Sequence, residues 1–270
     1  IIIEFTIGIL ALYVFIVHSF TTSNPFFRPA LFRDKNFNLG LVAALANGAI
    51  ATLPLVVIPI MLEEVAGYSV LDTGILLLSR GLGIVIVSGV LARYDQLIPP
   101  RGLLIFAFLV ALVSGYEMAE WTSDVSAVEV FWINCVQGMA SGAIFIAINT
   151  LTFVTLNPKL KTEGFALYYT ILFTGSVIGI AIIVTILTRM SQVANTVVGA
   201  HINPYNERFR YLVLPDTWNI DELAGLRTLE ELVHTQAEMI AYSDAFLAAA
   251  LISLIGLPLA FLFTPPKRKI

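Results

Sequence analysis

The sequence is short of charge. Asp, Glu, Lys and Arg make up 13% of its 270 residues, against about 25% in a typical soluble domain. It holds one cysteine, Cys135, so no intrachain disulfide can form and the redox compartment stays unread. Its histidines, His18, His201 and His234, lie far apart, without the spacing of a metal site. No G-x-S-x-G, P-loop, H-E-x-x-H or C-x-x-C pattern occurs. The chain therefore reads as a non-enzyme with no metal and no cofactor. No basic surface points to nucleic acid. What remains is apolar: 58% of residues are hydrophobic and the mean hydropathy is +0.87. This is the composition of an integral membrane protein.

The apolar residues fall into runs of about 20, the length that crosses a bilayer core of about 30 Å as a helix. The expected fold class is all-α: a polytopic membrane helix bundle of seven transmembrane helices. The first expected span is Ile1–Phe20, followed by a loop at Thr21–Asn38. The second is Leu39–Leu62, which Pro54 and Pro59 should kink. Spans at Thr73–Ala92, Gly102–Trp121, Val128–Leu156 and Phe165–Thr188 come next. A polar stretch, Ser191–Ala241, is expected as an outer loop, with an amphipathic helix over Ile220–Ile240 lying on the surface or capping the bundle. Tyr242–Phe263 is the last span.

Basic residues set the orientation. If the C-terminal tail is cytoplasmic, the loops on its side hold Arg28, Arg33, Lys35, Arg93, Arg101, Lys159 and Lys161. The short loops on the other side hold Glu63, Glu64, Asp72 and Asp124 and no Lys or Arg. That is the positive-inside pattern. It predicts a multi-pass protein of the cytoplasmic (inner) membrane with its C-terminus cytoplasmic. The chain begins in an apolar run without Met, a charged n-region or a small-residue cleavage site, and reads as the C-terminal part of a longer protein.

Polar residues inside the spans are the candidates for function, because a polar group facing lipid is costly. Arg80 is the sharpest. It would line a substrate path, snorkel to the outer headgroups, or pair with Glu117, Glu120 or Glu129. On the fifth span, Asn134, Gln137, Ser141 and Thr152 share one face at 100° per residue, with Asn149 at its edge. That face reads either as interhelical hydrogen bonding or as the wall of a polar cavity. Asn47 invites the same reading, and Tyr168 is a belt aromatic or a cavity wall. Gly138/Gly142 and Gly175/Gly179, each four apart, are expected to let helices pack closely.

Several stretches together resemble a known family. Asn24-Pro25 with Leu31-Phe32-Arg33-Asp34-Lys35, Gly74-Ile75-Leu76-Leu77-Leu78-Ser79-Arg80-Gly81-Leu82-Gly83, Gln137-Gly138-Met139 with Asn149-Thr150-Leu151-Thr152-Phe153, and Glu163-Gly164-Phe165-Ala166-Leu167 with Gly175-Ser176-Val177-Ile178-Gly179 carry it. The chain is similar to the C-terminal half of the fourteen-helix drug:proton antiporters of the major facilitator superfamily, the EmrB/QacA type. Ser79 stands where proline is usual in that family, and the turn after the Arg80 helix is degenerate. The resemblance implies an additional transmembrane helix plus cytoplasmic linker at 1–38. It implies a C-terminal six-helix transporter bundle at 39–270 with an extracytoplasmic loop at 191–241. It implies proton-gradient-driven efflux of amphipathic or hydrophobic small molecules, with a substrate cavity formed by Arg80, Gln137, Asn134, Asn47 and Tyr168. The implied partners are the small-molecule substrate, protons as coupling ion, the lipid bilayer, the missing N-terminal half and a periplasmic adaptor protein. The alternatives are an exporter of one endogenous metabolite or siderophore, and a non-transporting membrane scaffold acting through the 191–241 loop.

Overall fold

Asp34 opens the bundle. Its carboxylate accepts a hydrogen bond from the Phe37 backbone amide at 2.9 Å and so caps a helix that starts before the apolar run does. In a computed structural model describing residues 2–22, 27–94, 97–201 and 223–264, this helix, α2, covers Lys35–Glu64. It is preceded by α1, Ile2–Thr21. It is followed by α3 (Val70–Tyr94), α4 (Pro100–Ala119), α5 (Ala127–Phe153), α6 (Lys161–His201) and α7 (Leu223–Leu262). No strand occurs among the described residues. Helices α2 to α7 are each long and apolar enough to cross a membrane. α1 adds a seventh apolar helix of 20 residues, whose described side chains are all exposed.

Local chemistry explains the boundaries. Ser126 accepts from the Glu129 amide at 3.3 Å, and Ser126-Ala127-Val128-Glu129 is the sequence of a capping box at the head of α5. Gly67, with φ +71°, makes the turn from α2 to α3, a conformation that disfavours any side chain. α2 runs without a break through Pro54 and Pro59.

The polar stretch expected as a loop is helical at both ends. α6 has 41 residues and α7 has 40, about 60 Å each and twice the thickness of a bilayer core. Between Thr188 and Ala200 there is no proline and only Gly199, so the span has no signal to stop. The amphipathic segment before Tyr242 likewise joins the last span as one helix. The Tyr242 hydroxyl lies 3.5 Å from Glu64 at the end of α2. Residues 223–241 therefore project ~28 Å beyond that end. The remainder of the expected loop, 202–222, and the C-terminal tail lie outside the described residues.

The helices pack in a definite order. α2 lies against α6, α3 against α5, and α4 against both α5 and α7, while α7 also packs on α6 and α2. α2 and α5 are the most enclosed. The apolar core divides into two clusters. One holds Phe37, Ala44, Phe108, Ile144, Leu151 and Tyr168 at one end of the bundle. The other holds Leu53, Met61, Leu76, Trp121, Val130 and Phe246 at the opposite end. Buried polar side chains include Asn47, Ser79, Arg80, Ser114, Asn134, Gln137 and Ser141 along the helices, and Asn36, Thr73 and Thr152 close to helix ends.

Candidate functional site

Two helix crossings bring the polar layer together, and both are built on glycine. A Cβ added to Gly138 would run into the carbonyl oxygen of Arg80, and one added to Gly83 into that of Cys135. At the other crossing, a Cβ on Gly48 would run into the carbonyl of Leu172, and one on Gly175 into that of Leu45. The register is the same at both. Each glycine meets the carbonyl three residues before the glycine of its partner helix. Gly142 and Gly179 extend the two contacts, onto Ile84 and Val87 and onto Ala49 respectively. Such approach is what small residues permit where lipid offers helices no hydrophobic drive to associate.

Between the crossings, α2, α3, α5 and α6 wall a cavity of about 690 Å³. Its lining is largely apolar and includes Leu55, Leu78, Ile84, Phe145 and Leu172. Asn47, Arg80, Ser141 and Ser176 give it polar points.

Arg80 is 95% buried, with 5% of its surface exposed. Its Nη2 donates to the carbonyl of Ala51 and to the hydroxyl of Ser141, each at 3.0 Å. The guanidinium therefore neither snorkels nor meets Glu117, Glu120 or Glu129, which are exposed. Its acceptors are neutral. Ala51 lies one residue after Ile50, whose carbonyl Pro54 leaves without a backbone donor. Ser141 is held in turn by donating to the Gln137 carbonyl at 2.9 Å. Nη1 of Arg80 and Oδ1 of Asn47 are buried without a hydrogen-bond partner. Four other buried side-chain atoms share that state among the described residues: Asn38 Oδ1, Thr73 Oγ1, Trp121 Nε1 and Asn134 Oδ1.

The other candidate residues sit elsewhere. Gln137 is buried and accepts through Oε1 from the Ser114 hydroxyl of α4. Asn134 donates from Nδ2 to the Leu76 carbonyl of α3 at 3.3 Å. Tyr168 is fully buried, and its hydroxyl lies 3.2 Å from Asn149 Nδ2. Thr152 is bonded to Ile148 on its own helix at 2.6 Å and fills the space over Gly40 of α2. The polar stripe of α5 thus spreads over three neighbours, because α2, α3 and α4 surround that helix. Asn47 and Arg80 alone of the five candidates share the cavity. Ser176, Gly48 and Gly83 were not singled out from the sequence. Gly48 and Gly83 carry no spacing-four glycine partner, and a small residue every few positions along both helices was the available signal.

A second concavity, about 480 Å³, lies between α4 and α5 and is lined by Phe106, Val110, Val113, Trp132 and Val136 with Glu117 at its rim. Its apolar, outward-facing side chains suit contact with lipid.

Fold and site define a polytopic helical membrane protein with a cavity among four of its helices. No protein-family model matches the chain. It is 23% identical over 266 residues to the fatty acid resistance protein FarB of Neisseria gonorrhoeae, covering 97% of this chain and 52% of that protein. It is 25% identical over 271 residues to the multidrug export protein EmrB of Escherichia coli K12, covering 98% and 52%. It is 23% identical over 188 residues to the lincomycin resistance protein LmrB of Listeria monocytogenes, covering 70% and 40%. The chain is a relative of these proteins, and it spans about half the length of the curated relatives it matches, as a C-terminal half would.

Proposed function

We propose that the chain forms one half of a proton-gradient-driven exporter of amphipathic or hydrophobic small molecules in the cytoplasmic membrane, with its C-terminus in the cytoplasm. The cavity among α2, α3, α5 and α6 carries this reading. Its apolar walls would supply affinity by burial, and its few polar groups would orient a ligand without fixing one shape. The names of the relatives, which speak of multidrug export and of resistance, agree with it. The other half would face the open side of this cavity, where Leu55 and Leu78 are exposed. Rocking of the halves would give alternating access. A periplasmic adaptor would meet α6 and α7 where they extend past the core.

The test is efflux of a neutral lipophilic dye from energised cells expressing the full-length protein. Protonophore-sensitive efflux that Arg80→Ala alters in rate or substrate range is the expected result. Unchanged dye retention with the protein verified in the membrane overturns the reading.

A further inference from the structure

We infer that Arg28 and Glu163 form a clasp that sets the angle of α6 on α2, and that this angle governs how fast the protein turns over. The effect on turnover rests on the transport reading above, whereas the effect on the angle does not. One short stretch, Arg28–Asn38, ties down the ends of three other helices. Glu163, in the first turn of α6, takes the Arg28 backbone amide on Oε2 and the Arg28 Nε on Oε1, each at 3.2 Å. Asp34 caps α2, and the same Oδ1 takes the hydroxyl of Thr155, just past the end of α5, at 2.8 Å. The Asn36 amide makes two 2.9 Å bonds to the backbone of Thr264, just past the end of α7. The stretch is itself held still. Leu31 is fully buried in the core, and Asn38 Nδ2 donates to the Phe32 carbonyl at 2.7 Å. At the opposite end of the bundle Tyr68 bonds Val125 and Tyr242 approaches Glu64, and neither contact reaches α6.

Two helices that touch closely at one point can swivel about it. α6 meets the backbone of α2 at Gly48 and Gly175. From Glu163 to Gly175 is ~18 Å of rod, and a second fixed point at that distance sets the angle. Gly164 packs beside the clasp against Phe37, Phe153 and Leu156, but apolar contact is non-directional. The carboxylate is directional, since each of its oxygens takes one N–H of a residue that the buried Leu31 anchors. Leu172 and Ser176, the residues by which α6 lines the cavity, sit at the crossing and barely move when α6 swivels, while the far end sweeps. Loss of the clasp therefore spares binding and slows turnover. Arg28 and Glu163 are positioning residues, and neither lines the cavity. The Arg28 side chain is largely exposed, so the pair adds little to folding.

The experiment replaces the ion pair by a covalent tie. Arg28→Cys and Glu163→Cys are combined in the full-length protein and bridged by a short bis-methanethiosulfonate, with the buried Cys135 left in place. Before bridging, movement of a neutral lipophilic dye in energised proteoliposomes is expected to fall about fivefold, the low end of coupling between distant sites, with dye binding within about twofold of wild type. After bridging, the rate returns to near wild type. An unchanged rate before bridging, or a bridge that leaves transport slow or stops it, overturns the inference. The angle is read separately, in nanodiscs, from spin labels on Val70→Cys of α3 and Val193→Cys of α6, both exposed positions. Glu163→Ala is expected to broaden or shift their distance by about 5 Å, the sweep of a ~10° swivel at ~27 Å from Gly175, while the melting temperature holds. Glu163→Gln keeps an acceptor for the Arg28 amide and shifts the distance less. An unchanged distance in Glu163→Ala overturns the inference. If the wild-type protein moves no dye, the exporter reading falls and the label distance still decides the clasp.

Discussion

The two glycine crossings share one backbone geometry and differ in what they load onto it. In the α3·α5 crossing the residue three before the α3 glycine is Arg80. In the α2·α6 crossing the residue three before the α6 glycine is Leu172. Both line the cavity. Likewise, the residue three after Gly138 is Ser141 and the residue three after Gly48 is Ala51, and these two supply the acceptors of Arg80. The order of contacts repeats the relation. Exchanging α2–α4 with α5–α7 turns the α3·α5 pair into the α6·α2 pair. Small residues fix how the helices cross, and the chemistry of the site comes from side chains placed on that frame on one side only.

The comparison breaks most visibly at the glycines. Gly138→Val and Gly175→Val each push a side chain into a partner backbone that cannot give. Each is expected to lose folded protein, at or beyond the upper end of the roughly 1–3 kcal/mol that overpacking costs, seen as loss of the monodisperse peak and of thermal stability. Equal losses would mean the crossings are energetically as alike as they look, and unequal losses would rank them. Exchanging the loads is the next largest effect. Leu172→Arg places a charge at the equivalent position without a hydroxyl such as Ser141 to meet it, and should destabilise by about 2.5 kcal/mol. Arg80→Leu leaves Ser141 bonded to Gln137. It should stay within about 1 kcal/mol of wild type by thermal melting, while changing which compounds the full-length protein exports. Smaller than the Leu172→Arg effect is Ser141→Ala, which removes a hydrogen bond to a charged donor and should cost about 1.5 kcal/mol. Its counterpart Ser176→Ala loses only 3.3 Å contacts to Gly48 and Leu172 and should be near neutral. The smallest shift belongs to Arg28→Ala. Its 3.2 Å pair with Glu163 is largely solvent-exposed on the arginine side, so about 0.5 kcal/mol or less is expected.

Much of the frame was legible in the chain. Apolar runs of about 20 residues located the spans, because length and hydropathy are what the bilayer demands. The spacing of Gly138/Gly142 and Gly175/Gly179 pointed to the contact faces. Arg80 drew notice as a charge well inside a span, and it is buried there. The neighbours of α5 were not legible. A helical wheel puts Asn134, Gln137, Ser141 and Thr152 on one face, but it cannot say that α3, α4 and α2 divide that face among them. The continuation of α6 and α7 past the bilayer was missed for a different reason. Hydropathy falls where the environment changes, whereas a helix ends where caps or breakers stop it, and residues 189–201 hold no proline and a single glycine, Gly199.

That continuation gives the bundle a lever. From Gly175, where α6 is pinned against α2, to the end of the helix at His201 is ~39 Å of unbroken rod. A tilt of about 10° about that fulcrum carries the far end ~7 Å while the pinned end barely moves. A label at Ala200, far from any ligand, would thus read the angle of a cavity wall with the displacement magnified.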